Sequence, residues 1–353
     1  MIPKFGIALS FQVHRGLGES WDTAYREGLE LAREADRLGF ESVWASEHHG
    51  EPDGYCPSPV TACAALAVAA PRCRIGQAVA LAPLHGHPLR LAEDLSVIDN
   101  LSGGRVEIGL GQGYRPAEFE AFGWNYRTRT RAFEESLDIL GLAWRGEPFD
   151  YDGRIYQVKS GLLRPPPLKP GPLPLWVGAA APKARARAVR YRAGLIVAPL
   201  IELQHLGRQI RSFDEEAERQ NAGALPHALM REVLVGDSPA DAIKRHQAGL
   251  DLVYRVQYAP ERTGQTYIDA ATGERRPMTN DNPHYLSEAF LQDRWFLGTP
   301  GDIAAKLVEW LPRVRLEHFI FQGRQPGQSL RHAVDSLEAI AREVLPTVRT
   351  RLS

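Results

Sequence analysis

Residues 74–122 read RIGQAVALAPLHGHPLRLAEDLSVIDNLSGGRVEIGLGQGYRPAEFEAF and decide the fold. A short apolar run at 75–81 predicts a buried strand. Pro88 can begin a helix whose apolar residues recur every three or four positions, and Gly103 can end it. The alternating run at 105–111 predicts a second strand, so the stretch is a βαβ unit with a parallel strand pair.

Three glycines, Gly109, Gly111 and Gly113, lie where this second strand opens into a loop. Because glycine has no side chain, a bulky group can approach the backbone there. Ligands bind at the carboxyl ends of the strands in parallel α/β folds, so we expect a ligand against these glycines. Glu107 shares their strand face and is expected to point inward, to a basic or hydroxyl partner, because a buried carboxylate must be paired or protonated.

The remaining sequence repeats the strand and helix pattern. Strands are predicted at eight places, near Phe5, Ser42, Ile75, Val106, Leu175, Leu195, Arg231 (to Val235) and Leu316. Eight βα repeats in series favour a closed (β/α)8 TIM barrel over an open sheet. The 353 residues fit one such barrel with insertions, so residues 1–353 are predicted to form a single domain. Residues 257–295 lack the pattern and are predicted to be an inserted loop, either a lid or a disordered excursion.

The charge balance limits the possible partners. A formal net charge of -1 without a basic cluster argues against nucleic acid and favours a small-molecule substrate. The N-terminus leads directly into a strand-like run, and no apolar stretch reaches the length of a membrane span, so we expect a soluble cytoplasmic protein with no membrane partner. The three cysteines show no CxxC spacing, which favours buried thiols over disulfides or a zinc site.

Polar residues follow the second strand directly, and they are the first candidates for chemistry. His48 and His49 come after Ser46 and Glu47 at the predicted barrel mouth, and histidine suits acid and base chemistry near neutral pH. A structural role for the two histidines is an equal alternative. A metal site built from these residues with His85 and His87 is disfavoured, because adjacent side chains on an extended backbone point apart and the spacing fits no zinc motif.

A second candidate site follows the strand at 175–177. Gly178 to Ala181 are small residues, and Pro182 can begin the next helix. Free N–H groups and the positive end of the helix dipole would attract a phosphate there, although a simple tight turn is the alternative. Lys183 in the first helical turn opposes the dipole, and a nearby anion would relieve this.

The substrate pocket is predicted from side chains at the roots of the loops. It comprises Trp44, Ser46, His49, Tyr55, Tyr258 and Gln322. Tyr114 and Trp295 are further aromatic candidates. Simple packing is the alternative for these aromatic residues.

The chain resembles the bacterial luciferase family of flavin-dependent monooxygenases in four stretches, GFESVWASEHH (39–49), LAPLHGHPLRLAEDLSVIDNLSGGRVEIGLGQGYRPAEFEAFG (81–123), EPFDYDGRIYQV (147–158) and FLGTPGDIAAKL (296–307). The resemblance spans nearly the whole chain and implies the (β/α)8 barrel. It also implies reduced FMN, or in a sister group the deazaflavin coenzyme F-420, bound at the mouth. With FMN, dioxygen would form a peroxyflavin that attacks a small organic substrate.

The resemblance also implies roles for individual residues. His48 matches the histidine credited with proton transfer, and Ala78 and Val79 fall where the family supports the flavin ring on a cis peptide. The flavin contacts implied elsewhere are Gln112, Tyr114, Gly178, Ala179, Ala180, Lys183 and Ala184.

Two residue changes set this chain apart from many relatives. Gln112 replaces an arginine, and Ala179-Ala180 replaces a serine-containing pair, so the charge for the phosphate is expected from Lys183 or Arg185. Weaker flavin binding would follow, as suits an oxygenase that receives reduced flavin from a separate flavin reductase. The alternatives are a deazaflavin-dependent hydride-transfer enzyme and a flavin-binding protein without turnover. A homodimer is implied by the resemblance.

Overall fold

Eight parallel strand segments close into a barrel in the computed structural model, which describes residues 2–169, 171–172, 174–268, 272 and 274–353. The barrel strands are β1 (Lys4–Leu9), β2 (Ser42–Ala45), β3 (Arg74–Gln77) with its continuation β4 (Ala80–Leu81), and β5 (Val106–Gly111). After the antiparallel hairpin of β6 (Phe149–Asp152) and β7 (Gln157–Gly161), the barrel continues with β8 (Leu175–Gly178), β9 (Gly194–Val197) and β10 (His227–Arg231).

The last strands complete the barrel and form two small outer sheets. β11 (Val233–Val235) pairs in parallel with β14 (Phe296–Gly298), and β12 (Thr266–Ile268) pairs antiparallel with β13 (Arg275–Pro277). β15 (His318–Gln322) lies between β1 and β10, and β3 pairs with β5 to close the ring. The predicted (β/α)8 TIM barrel is therefore confirmed.

Helices surround the barrel. They are α1 (Trp21–Leu38), α2 (Pro59–Ala69), α3 (Pro88–Ser102), α4 (Pro116–Ala121), α5 (Arg129–Ala143), α6 (Pro182–Arg190), α7 (Leu203–Arg219), α8 (Pro239–Leu250), α9 (Pro260–Thr263), α10 (Glu288–Gln292), α11 (Pro300–Trp310), α12 (Leu330–Ala339) and α13 (Leu345–Leu352). Several ends follow from local sequence. Gly39 and Gly103 end α1 and α3 in the left-handed conformation, and Thr299 with Asp302 forms a capping box on α11. None of the helices in the described part of the chain combines the length and apolar character that crossing a membrane requires.

The barrel interior is filled in layers below an accessible upper rim. Glu107 lies at the closed end, where it is 5% exposed and bonds to Arg74 and to the indole N–H of Trp176 at 2.8 Å. This confirms the predicted inward orientation and basic partner. Above it lies an apolar layer of buried side chains, namely Ala8, Trp44, Ala78, Trp176, Ile196, Ala228 and Ile320. The packed interior leaves only the carboxyl ends of the strands open to a ligand.

The seventh barrel strand is not where the sequence pattern placed it. The repeating strand and helix pattern predicts a strand from Arg231 to Val235, but the barrel strand is β10, which ends at Arg231. The predicted residues from Val233 onward instead pair with β14 outside the barrel. Strand pairing in the folded chain therefore overrides local β propensity here.

The segment at 257–295 is not a structureless loop in its described part. It contains α9, β12, β13 and α10. Buried side chains from this segment pack with residues of α8 and the following π-helical turn (Asp251–Gln257) in a second apolar cluster, which includes Tyr254, Met278, Tyr285, Phe290, Leu291 and Trp295. The alternative of a disordered excursion is therefore wrong for these residues. The lid role stays a prediction.

Candidate active site

His48 lies at the carboxyl end of β2 and is held by two other elements. Its Nδ1 atom is 2.8 Å from Oε1 of Glu118, on α4, and its Nε2 atom is 3.0 Å from the hydroxyl of Tyr258. The backbone N–H of His49 also donates to Glu118 Oε1 at 3.1 Å. His48 and Glu118 are 6% and 3% exposed, so the imidazole is fixed at both ring nitrogens in a site that is largely closed to water.

The pKa shifts define where the protons lie in this chain of hydrogen bonds. Burial lowers the pKa of His48, and the hydrogen bond and charge of Glu118 only partly oppose this. Burial disfavours ionisation of Glu118, but His48, the His49 N–H and the charge of Arg115 together more than offset this, and the pKa of Glu118 is lowered. Burial raises the pKa of Tyr258 well above 10. Near neutral pH the phenol therefore donates to Nε2 of a neutral imidazole, whose Nδ1–H donates to an ionised Glu118.

Glu47 and His49 form a separate cluster that faces away from His48. Glu47 accepts hydrogen bonds from His49 Nε2 at 2.6 Å, His85 Nε2 at 3.0 Å and the Leu81 N–H at 2.7 Å. Burial opposes ionisation of Glu47, but these donors more than offset it and lower its pKa to about 2. His49 packs on Phe122 with the ring centroids 4.8 Å apart, so it is a partner of Glu47 and not a wall of the predicted pocket.

Metal binding has no support in this cluster. Among the described residues, no group of three or more His, Cys, Asp and Glu side chains is arranged to hold an ion. His48 and Glu47 follow each other in the chain, and their side chains go to different partners, as an extended backbone requires.

Three tyrosines surround the His48 ring. The ring centroids of Tyr55, Tyr114 and Tyr258 lie 4.8, 5.9 and 5.7 Å from that of His48. The Tyr258 and Tyr55 hydroxyls are 3.5 Å apart. These three residues, predicted as members of one aromatic pocket, line one side of His48. Ser46, just after β2, is buried.

Two other predicted aromatic residues lie elsewhere. Trp44 is fully buried in the barrel interior, and its indole N–H donates to Ser42 at 2.9 Å. It forms part of the floor beneath the mouth and offers no free surface to a substrate. Trp295 packs in the second apolar cluster and donates to the Pro199 carbonyl at 3.0 Å, so its expected place among the pocket aromatics is wrong.

The three glycines near β5 contact protein, which corrects the expectation of a ligand there. A Cβ atom at Gly109 would lie 1.7 Å from the Gln77 carbonyl oxygen, and one at Gly111 would lie 2.8 Å from a Val79 methyl. A Cβ atom at Gly113 would lie 2.7 Å from the Phe119 ring. These glycines let the strand β3 to β4 connection and α4 pack closely, and the Ala78-Val79 peptide bond in that connection is cis.

The accessible rim of the barrel is formed by partly or largely exposed residues from four strands. Four residues that follow the buried apolar layer along their strands are partly or largely exposed, namely Val79, Gly178, Met230 and Gln322. A Cβ atom at Gly178 would lie 3.6 and 3.7 Å from the two Val79 methyls, so the missing side chain leaves open space over Val79.

The turn before α6 offers backbone donors for an anionic tail. No side chain caps this helix at Ala181, and Gly178, Ala180 and Lys183 are exposed, whereas Ala179 is buried and Ala184 is half-buried. Gln112 accepts a hydrogen bond from Thr130 at 3.0 Å. Arg185, the other candidate for the phosphate charge, is buried and donates to the Ala180 carbonyl and to Ser212, which holds the turn from behind.

Sequence reasoning missed Glu118 and the ion pairs of Arg115. Glu118 lies 70 residues after His48, and only its place in a short helix after a barrel strand suggested proximity to the mouth. Arg115 pairs with Glu51 and donates to the Gln257 carbonyl at 3.3 Å, and Arg262 also pairs with Glu51 at 3.1 Å. These contacts join the loop after β5 to the start of the 257–295 segment.

Comparison with known proteins agrees with this geometry. A family model described as luciferase-like monooxygenase matches residues 3–314. An uncharacterized protein, y4vJ, of Sinorhizobium fredii is 33% identical over 341 residues, 96% of this chain and 95% of the relative. The oxygenase component of a flavin-dependent trigonelline monooxygenase of Acinetobacter baylyi is 30% identical over 229 residues, 62% of this chain and 61% of the relative.

Solved structures and a second group of relatives match as well. The monooxygenase RslO1 of Streptomyces bottropensis superposes with a TM-score of 0.78 at 25% identity and covers 97% of this chain and 99% of its own. An F420-dependent glucose-6-phosphate dehydrogenase of Beutenbergia cavernae is 25% identical over 347 residues, 93% of this chain and 95% of the relative. Related chains therefore use two kinds of flavin-like cofactor.

Proposed function

The chain belongs to the luciferase-like monooxygenase family, a family of flavin-dependent oxidoreductases, and from that premise we propose that it is the oxygenase component of a two-component system. It receives reduced FMN from a separate flavin reductase and uses dioxygen to oxidise a small organic substrate. The observation that carries this proposal is the hydrogen-bonded series Tyr258, His48 and Glu118 beside the open rim at Val79 and Gly178. We also propose that the protein is a homodimer in the cytoplasm.

The flavin contacts predicted from the sequence remain the proposed ones. Ala78 and Val79 support the flavin ring, and the tail lies against Gln112, Tyr114, Gly178, Ala179, Ala180, Lys183 and Ala184. Reduced flavin, when bound, supplies the electrons that activate dioxygen. Backbone N–H groups and the dipole of α6 supply most of the attraction for the phosphate, because these residues offer few charged side chains.

The protein side chains transfer a proton and exclude water from the site. His48 holds a proton on Nδ1, and its Nε2 atom would accept the phenolic proton of Tyr258 as that hydroxyl takes a proton from the substrate, so no tyrosinate is left. Glu118 would stabilise the imidazolium that forms. The substrate lies between Tyr55, Tyr258, Ser46 and Gln322, above Trp44. The 257–295 segment, which carries Tyr258, acts as the lid and excludes water from this site.

The deazaflavin alternative is favoured by one observation, the match to F420-dependent relatives along nearly the whole chain. Such an enzyme would transfer hydride and consume no dioxygen. Oxygen uptake with reduced FMN, compared with substrate turnover by reduced coenzyme F-420, separates the two. A protein that binds reduced FMN but turns over neither system would be the non-catalytic alternative.

The central test is His48→Ala. We expect this variant to bind reduced FMN as tightly as the wild type in anaerobic calorimetry, because the flavin contacts lie on other strands. Product formation is expected to fall by about 10² to 10⁴, the usual contribution of a general acid or base. His332→Ala, at an exposed histidine on α12, is the matched control. Equal turnover in His48→Ala would remove His48 from the mechanism.

A further inference from the structure

A cavity of about 700 Å³ lies between α6, α7 and the start of β12. Side chains from α7 line it on one face, at positions 205, 208, 209 and 212, and Arg185 of α6 and Arg294 lie at its walls. Its volume is in the range of small-molecule sites, which is roughly 300–1,000 Å³. No sequence pattern indicates this cavity, because its residues come from four segments that lie far apart in the chain.

The charge of the cavity lining is unbalanced. Four guanidinium groups line it, on Arg185, Arg208, Arg275 and Arg294, against the single carboxylate of Glu202. That carboxylate is already engaged, because it pairs with Arg294 at 2.8 Å and with His205. Within the described residues Arg208 has no ion pair, and Arg275 donates only to the Thr266 hydroxyl at 2.6 Å. The lining therefore presents an excess of positive charge to one cleft that is open to solvent.

Two of these cations have unused donors. The Nε atoms of Arg185 and Arg294 are buried and have no hydrogen-bond acceptor in the described part of the chain. The two residues are 8% and 5% exposed, so water has little access to them. A buried donor without an acceptor is costly, and a planar guanidinium is the side chain best matched to carboxylate and phosphate oxygens. A negatively charged hydrogen-bond acceptor would therefore satisfy both the unused donors and the excess positive charge.

The cavity is also connected to the His48 site. Gln265 lines the cavity and donates from Nε2 to the Tyr258 carbonyl at 3.3 Å, and the Tyr258 hydroxyl contacts His48. An occupant that contacts Gln265 would therefore act on the residue that holds His48 Nε2.

We propose that this cavity binds the oxyanion group of a small molecule, a phosphate or a carboxylate, as a site additional to that of the flavin. Arg208 and Arg275 attract and neutralise the anion, Arg185 and Arg294 donate from within the walls, and Ser212 and Gln209 offer uncharged donors. The inference goes beyond the proposed monooxygenase function, and it is tested by binding without turnover.

The test is calorimetric titration of the purified protein with inorganic phosphate and, separately, with succinate, in a phosphate-free buffer of low ionic strength. We expect saturable binding of at least one probe to the wild type, and the two arms tell phosphate from carboxylate recognition. Arg208→Gln is expected to bind about tenfold more weakly, as the loss of a charge-assisted contact predicts. Arg211→Gln, at an exposed arginine outside this cavity on the same helix, makes the same charge change and should bind as the wild type does.

The outcomes distinguish this site from the flavin site. Repeating the titration with reduced FMN bound should give the same anion affinity. The proposal is wrong if the cavity is the flavin phosphate site. In that case the anion would compete with FMN for binding but not with riboflavin, and Arg208→Gln would weaken the binding of FMN but not that of riboflavin. Absence of saturable binding by both probes, or equal binding by Arg208→Gln, also overturns it. A protein that fails to bind flavin at all would refute the proposed function, while the titration of the flavin-free protein still decides this inference.

Discussion

Glu118 determines which nitrogen of His48 carries the proton. Its carboxylate accepts from Nδ1, so Nε2 is left as the acceptor toward Tyr258. The hydrogen bond and charge of Glu118 also raise the pKa of His48 against the effect of burial. Because the sequence separation is large, no local pattern could have predicted this pair. The sequence did predict His48 at the carboxyl end of a strand, but it did not single out Glu118.

Replacing the carboxylate tests this assignment. In Glu118→Gln we expect the pKa of His48 to fall further, because the group that raises it has lost its charge. The imidazolium would then form only at a more acidic pH, and turnover should fall by about 10–100-fold. The pH titration of the His48 ring protons by NMR measures the first effect. Glu120→Gln, two residues along α4 and exposed, is the control, and an unchanged His48 titration in Glu118→Gln would contradict the assignment.

Glu47 is expected to affect stability rather than chemistry. Its pKa is lowered to about 2 in the folded protein, below the ordinary value of 4.5. Ionisation therefore stabilises the fold above about pH 4.5, and this contribution, roughly 3 kcal/mol, is lost as the pH falls from 4.5 to 2. Glu47→Gln should lower the free energy of unfolding at pH 7 and show less further loss on acidification. Urea unfolding at several pH values, with the exposed pair member Glu93→Gln as control, measures both.

At the scale of elements, the start of the 257–295 segment is fastened to the barrel by charge. Glu51 pairs with both Arg115 and Arg262, and the Arg115 guanidinium lies 5.5 Å from the ring centroids of Tyr114 and Tyr258. The sequence predicted an inserted segment here but not its attachment. The two ion pairs join residues 64 and 211 positions apart, so they leave no pattern in the sequence. The loss of strand and helix periodicity, by contrast, is visible in the sequence and indicates the inserted segment.

This attachment predicts the effect of Glu51→Gln. The side chain of Glu51 is 8% exposed, so its removal leaves two arginines without a carboxylate and should loosen the segment over His48. Water would enter more readily, and we expect the ratio of hydrogen peroxide released to product formed to rise by about twofold or more. Assays of peroxide and product under identical flavin supply measure this ratio. Asp251→Asn breaks a more exposed ion pair close by and should leave the ratio unchanged.

The misplaced seventh strand shows what element prediction lacked. Val233 to Val235 look more like a buried strand than His227 to Arg231 do, because β-branched residues predominate in the former. The barrel nevertheless uses His227–Arg231, which pairs with β9 and β15 on its two sides. Only the pairing with neighbouring strands selects between these two adjacent candidates. The number of barrel strands was therefore predictable, but the position of the seventh was not.

For the whole molecule, Glu107 links the strands at the closed end of the barrel. It lies on β5 and contacts Arg74 of β3, Trp176 of β8 and, at 3.8 Å, His318 of β15. The alternating pattern of 105–111 was sufficient to predict its inward orientation and a basic partner. The identity of the other partners depended on barrel closure, which brings the first and last strands together.

Removal of this carboxylate should weaken the entire barrel. Glu107→Ala leaves Arg74 and the Trp176 N–H without their acceptor, so we expect the free energy of unfolding to fall by about 3 kcal/mol. The affinity for reduced FMN should be unchanged, because the proposed flavin site lies at the opposite end. Urea unfolding and anaerobic calorimetry measure the two quantities. Glu317→Gln removes an exposed ion pair with Lys4 and serves as control, and a loss of flavin affinity in Glu107→Ala would contradict the separation of the two ends.

The stacked interior of the barrel also has an optical consequence. Trp44 and Trp176 lie buried side by side, with ring centroids 6.3 Å apart, in the layer directly beneath the rim at Val79. Excited indoles transfer energy efficiently to a nearby oxidised flavin, which is yellow, and much less to reduced flavin. At the proposed flavin site the two indoles, whose orientation the fold fixes and which are shielded from solvent, would therefore report the binding of oxidised FMN. Dimming of the indole emission on loading, and its recovery on release, would report arrival and departure of the cofactor without any label.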